Sequence, residues 1–147
     1  MRTDTRSPTR SADRRRGRTR VLLGLEVLLA VGAYGGAAAI LTGVLDFGEA
    51  TDRLPFGSLV LAGLALAVVN GVLPTVALVL DRRRHPAAPL AHLAVGLALV
   101  SWIVVQVGFL GPPVHALQVL YLVWGVAIAG LALPEARVSW RVVGRAR

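Results

Sequence analysis

The stretch VLLGLEVLLAVGAYGGAAAILTGVL, residues 21–45, holds 25 residues and a single charge, Glu26. At 1.5 Å of rise per residue a helix of that length reaches about 37 Å, enough to cross a hydrocarbon core of roughly 30 Å with some tilt. Three further runs of the same kind follow, at 57–80, 88–110 and 114–133. They are apolar all round, so length rather than amphipathic period argues for helix. A transmembrane barrel would need segments of about 9–11 alternating residues, and none occurs. The sequence therefore predicts an all-α fold, an up-down bundle of four transmembrane helices forming one membrane domain over 21–133.

The composition agrees. The chain has 147 residues, of which 16% are charged, and a mean hydropathy of +0.66. The charges fall into clusters separated by long uncharged runs, as expected of a membrane protein. All 16 basic residues are Arg, a bias that reads as coding preference in a high-GC bacterial genome rather than as Arg-specific chemistry. There is no Cys, which excludes disulfides, thiolate nucleophiles, Cys-bound zinc and redox dithiols.

Residues 1–20 carry eight Arg and two Asp with no apolar run. Nothing there offsets the entropy of ordering, so a disordered basic tail is expected. Followed by the apolar run and Ala37-Ala38-Ala39, this tail also resembles a cleavable signal peptide. The run exceeds the ~7–15 residues of such a segment, and more membrane follows it, which favours a retained span. Residues 46–56 read as a polar loop, with Pro55 near the start of the second helix. Residues 81–87 form a tight basic turn, and Gly111-Pro112-Pro113 a very short one that forces a hairpin. Pro134 and Glu135 are expected to close the fourth span. A basic tail over 134–147 follows, with Trp140 suited to the headgroup belt and a short interfacial helix as one reading.

Arg counts set the orientation. The first tail has eight, the 81–87 turn three and the last tail four, against one in 46–56 and none in 111–113. Four crossings place the three basic flanks on one side, which the positive-inside rule makes cytoplasmic. Both termini are expected in the cytoplasm of a bacterium, the protein in its plasma membrane.

Lipid tails are as apolar as Leu, so close packing of small residues and interhelical hydrogen bonds must hold such helices together. Gly32-x-x-x-Gly36 with Ala39-x-x-x-Gly43 in the first span, and Gly63, Ala67 and Gly71 in the second, each line one face. These faces are expected to meet as an antiparallel pair, the rival reading being plain Gly and Ala abundance.

Candidate site residues are the polar groups inside the spans. Glu26 and His92 lie at similar depth, and an intramembrane carboxylate is costly enough to want a partner. As a pair they would serve as a proton site or hold a headgroup. Separately, Glu26 would snorkel or meet Arg20, and His92 would face headgroups. A middle layer holds Tyr34, Asn70, Ser101 and Trp124. Pro74 frees the carbonyl of Asn70, so a kink with a spare acceptor is expected there. The layer is either a small ligand cavity or an interhelical clamp. Gln106 and Gln118 flank the outer hairpin and are expected to pair, with Tyr121 one turn from Gln118. No catalytic set emerges. The three His are scattered over both faces, which speaks against a shared metal, and the loop acids Asp46, Glu49 and Asp52 read as solvated. No cofactor is implied. Arg14, Arg15, Arg16, Arg82, Arg83 and Arg84 are candidates for anionic lipid headgroups. Nucleic acid is not an expected partner.

Three pieces carry a resemblance: Leu54-Pro55-Phe56, Ser101-Trp102-Ile103-Val104-Val105-Gln106 and Leu117-Gln118-Val119-Leu120-Tyr121. Over roughly residues 20–133 they resemble a group of small four-helix integral membrane proteins common in actinobacteria, which implies the architecture and no activity. A looser similarity is to DoxX-like four-helix membrane proteins, some associated with thiol redox systems. The missing Cys leaves no thiol chemistry to carry over. The expected role is a non-enzymatic membrane component that binds a partner protein, lipid or a second copy of itself. A small carrier or ligand-binding bundle is the alternative, and a membrane enzyme the third reading.

Overall fold

A computed structural model of the chain describes residues 8–45, 48–53, 57–111 and 115–144. The described residues form α1 (Pro8–Leu41), a short 3-10 turn (Gly48–Arg53), α2 (Leu59–Leu66), a π-helical turn (Ala67–Val72), α3 (Leu73–Arg82), α4 (Ala88–Leu110) and α5 (Ala116–Gly144). α2, the π turn and α3 run on as one span. Four helices are thus long and apolar enough to cross a membrane. The chain is a multi-pass four-helix membrane protein.

The first helix starts well before its apolar run. Residues 8–20 were expected to be disordered but belong to α1, with Pro8 at its first position, where a missing N–H costs nothing. Two causes explain the difference. The apolar run already meets the cost of nucleation, and Arg is a good helix former, so the helix propagates outward. Arg15 and Arg18, three residues apart on one face, also reach Glu135 of α5, at 3.4 and 2.6 Å. At its other end α1 stops at Leu41, four residues short of the expected boundary. The Thr42 hydroxyl donates to the Ala38 carbonyl, and Gly43 takes φ 73°, the left-handed conformation that ends helices. Gly43 is therefore a terminator and not part of a packing face.

The second span begins at Leu59, where Ser58 Oγ accepts from Leu61 N–H, a side-chain N-cap. Pro55 lies outside the described residues, as do Leu54 and Phe56. Ahead of Pro74 the helix widens, with the Leu73 N–H bonded to the Val68 carbonyl five residues back. A proline ring clashes with the carbonyl four residues before it, here that of Asn70, and a π turn is one way to make room. α4 covers 88–110, as the sequence predicts. α5 passes through Pro134 and continues to Gly144. The expected stop at Pro134, and the separate interfacial helix after it, are not found. Pro134 is exposed at the bundle surface, so its ring displaces no neighbouring helix.

The bundle closes because α1 packs on the second span, α3 on α4, α4 on α5, and α5 on α1. Its core takes residues from all four spans: Leu22, Leu29, Ala77, Val95, Leu99, Ile103, Ile128 and Ala132. Many Val and Leu side chains point outward, among them Val31, Val68, Val104 and Val123. In water that surface would be a liability; in a bilayer it faces the solvent it matches.

The expected contact of small-residue faces is present in part. Gly36 sits under Leu66 and Gly63 under Leu41, while Gly71 lies beneath the Tyr34 ring, where a Cβ would stand 2.7 Å from Cε1. The tightest crossing lies elsewhere. A Cβ on Gly96 of α4 would stand 2.4 Å from the Ala129 nitrogen of α5, and one on Gly125 3.1 Å from the Gly96 carbonyl oxygen. Gly125-x-x-x-Ala129 is a small-x-x-x-small signal in the fourth span that marks this crossing.

Candidate functional site

Glu26 and His92 meet inside the bundle. Position 26 falls on the buried stripe of α1 that also carries Leu22, Leu29, Ala30 and Ala33, and His92 lies one turn into α4. His92 Nδ1 stands 2.9 and 2.8 Å from the two carboxylate oxygens of Glu26. The side chains are 5% and 0% exposed. A carboxylate here accepts a shared bond from Nδ1–H, and neither group snorkels or reaches headgroups. Arg20 stays exposed.

The other ring nitrogen looks the opposite way. His92 Nε2 is buried with no hydrogen-bond partner and lies 3.6 Å from Asp81 Oδ1. Asp81 sits at the end of α3, its side chain 36% exposed. The imidazole is therefore placed between one sealed acid and one wet acid. Asp81 reads in the sequence only as the first residue of a basic turn. Among the described residues no trio of His, Asp and Glu is arranged to hold a metal ion.

Asp81 opens onto a cleft of about 510 Å³ lined by Arg15, Arg16, Thr19, Arg20 and Glu135. The cleft exists because the first helix extends beyond its apolar run and carries its arginines alongside α3 and α5. Glu135 is held by Arg18 and Arg15. Among the described residues that leaves Arg16 and Arg20 without an acid, and both are exposed. Arg14, Arg82, Arg83 and Arg84 are also exposed on the flanks, Arg84 at φ 53° in the turn. Glu135, Thr19 and Arg20 complete a feature that tail composition cannot reveal, since it depends on the tail being helical.

The middle polar layer does not assemble. Tyr34 OH pairs with Thr75 Oγ1 at 3.3 Å, and Thr75 donates to the Gly71 carbonyl at 2.7 Å. Ser101 is exposed on the outer face of α4. Asn70 is buried at 2% exposure, and its amide nitrogen and oxygen have no hydrogen-bond partner among the described residues, nor has Trp124 Nε1. Near the outer hairpin, Gln118 Oε1 accepts from His115 N–H at 2.8 Å. Its position at the third residue of α5 makes this half of a capping box. Gln106, half-buried, makes no bond to it. The expected amide pair is thus replaced by a helix cap. Tyr121 stacks on Trp124 with centroids 5.8 Å apart.

No family model, curated protein or solved structure matches the chain.

Proposed function

We propose that the protein is a non-enzymatic component of a bacterial plasma membrane that binds anionic lipid headgroups at its cytoplasmic face. The observation that carries this reading is the cleft framed by Arg15, Arg16, Thr19 and Arg20. Residues of α1, α3 and α5 surround it, at the basic end of the bundle. Guanidinium groups bind phosphate oxygens in bidentate fashion, and a hydroxyl such as that of Thr19 adds a donor. Two of the three arginines are not committed to Glu135, so their charge is available to a ligand. The excess of Arg at this end supports a cytoplasmic position for it.

The test is native mass spectrometry of the protein released from nanodiscs of mixed phosphatidylglycerol and phosphatidylcholine. The wild type should retain phosphatidylglycerol selectively. Replacing Arg16 and Arg20 by Gln should weaken that retention by about fivefold per arginine. Equal retention of both lipids by the wild type would refute the proposal. A bound polypeptide in the spectrum would instead favour a protein partner.

A second reading, a small carrier or ligand-binding bundle, is favoured by one observation. Asn70 lies in a π turn with both amide atoms unpartnered, and π turns are frequent at functional sites. Its weakness is that Ser101 is exposed on α4 and that the Tyr34 hydroxyl pairs with Thr75.

A further inference from the structure

Among the described residues, every other acid on the arginine-rich end of the bundle either faces water or meets Arg; Glu26 alone is sealed, and its one partner is a histidine. A structural ion pair needs no more than that. This site has a third member. His92 Nε2 is buried, unbonded and aimed at Asp81, 3.6 Å away. Asp81 in turn lines the cleft. The groups therefore form a row, from water to wet acid to imidazole to sealed acid.

We propose that Asp81, His92 and Glu26 form a proton-binding site that fills and empties through the arginine-lined cleft. The step balances with these groups alone. A proton from water in the cleft rests on Asp81. His92 Nε2 takes it, the Asp81 O–H bond breaking as the Nε2–H bond forms. The imidazolium then releases its Nδ1 proton to a Glu26 oxygen, which forms the carboxylic acid and leaves a neutral ring protonated at Nε2. The site has gained one proton, and the reverse sequence returns it to the cleft. A histidine is suited to this passage because its two nitrogens can bind and release different protons.

The charged surroundings come from three helices. Glu26 and the cleft residues Arg15, Arg16 and Arg20 belong to α1, Asp81 to α3, and Glu135, held by Arg18 and Arg15, to α5. His85, in the turn before α4, is exposed and accepts from Ala87 N–H. The proposal does not depend on lipid binding, since the relay needs only a wet cleft.

The experiment uses the full chain in nanodiscs with His85→Gln and His115→Gln, both exposed positions, so that His92 is the one histidine left. Its ring nitrogens are 15N-labelled and followed by NMR from about pH 5 to about pH 8, the range over which histidine sites change charge. The expected result is a His92 signal whose ring proton passes from Nδ1 to Nε2 as the pH falls, with ring protons that exchange with solvent. Asp81→Asn, at a partly exposed position, should slow that exchange about a hundredfold, the low end of what a positioned acid–base group contributes. Arg84→Gln, outside the row, should leave the rate unchanged. A His92 signal that stays constant across the range would overturn the proposal and leave a static pair. Exchange in Asp81→Asn as fast as in the parent would overturn the route through Asp81.

Discussion

Removing one member of a buried acid–imidazole pair strands the other, which costs far more than removing both. His92→Leu leaves Glu26 with no hydrogen-bond partner at 0% exposure, and the expected loss is about 3–5 kcal/mol. Glu26→Leu with His92→Leu should return most of it. Thermal unfolding in detergent, followed by Trp fluorescence, distinguishes these outcomes; a single variant as stable as the parent would show that the contact holds nothing. Asn70 makes the opposite case. A buried amide without partners costs about 1–3 kcal/mol, so Asn70→Leu should raise the midpoint. A fall would mean that the amide is engaged, which favours the carrier reading. These residues also show what could be read from the sequence. Counting from the helix ends places Glu26 and His92 at one depth, and they meet. The same counting gathers Tyr34, Asn70, Ser101 and Trp124 into a layer that does not exist. Depth says nothing of angle around the helix axis. For α1 the angle is encoded: Glu26 shares its stripe with Leu22, Leu29, Ala30 and Ala33, and Tyr34 stands off it. Asp81 escapes notice because its approach to His92 Nε2 depends on a residue of another helix.

Among the elements, the spans themselves are legible because each is an uninterrupted apolar run, and α4 keeps its expected limits. The ends are where composition misleads. The first Arg-rich tail looks too polar to order and the last reads as a basic tail with at most a separate interfacial helix, yet the described part of each continues a membrane helix that has already been nucleated, and they meet through Arg15, Arg18 and Glu135. Glu135→Gln should therefore loosen the outer turns of α1. Hydrogen–deuterium exchange over residues 13–20 should accelerate while residues 26–40 keep their protection. Exchange over residues 13–20 as slow in Glu135→Gln as in the parent would show that the ion pairs do not order the extension. Proline is the second source of error, at Pro134, where the sequence predicts a stop and the exposed helix surface instead lets α5 continue. Pro74, where the sequence predicts a kink within one span, is absorbed by a π turn. Packing follows small residues, but the strongest instance lies between α4 and α5. Gly96→Val would push carbon into the Ala129 backbone, 2.4 Å from where the Cβ must sit. Overpacking of this kind costs about 1–3 kcal/mol or more where backbone cannot yield. Gly108→Val on the same helix, with nothing within 4 Å, should be tolerated. Equal behaviour of the two would argue that the α4–α5 crossing is loose.

For the whole molecule, the buried acid, the cleft and the arginines all lie at one end of the bundle, so the sidedness of the protein decides what they can meet. The uneven distribution of Arg argues that this end is cytoplasmic. Residues 8–20 and the 82–84 run together present most of the positive charge, while Gly48–Arg53 at the other end carries two acids and one Arg. Moving the arginines of the basic end across the membrane would oppose both the insertion bias and the attraction of anionic cytoplasmic lipid. A proton site reached from the cytoplasm would respond to internal pH alone; reached from outside, the same residues would sample a different solution. The absence of Cys from the chain makes the distinction direct. Thr51→Cys and Arg83→Cys each place one thiol at opposite ends of the bundle, Arg83 being exposed in the turn after α3. In intact cells an impermeant maleimide should label Thr51→Cys and spare Arg83→Cys, which should react only after lysis. Labelling of Arg83→Cys in intact cells would turn the molecule over and place the cleft, Asp81 and the proposed lipid site on the outer face.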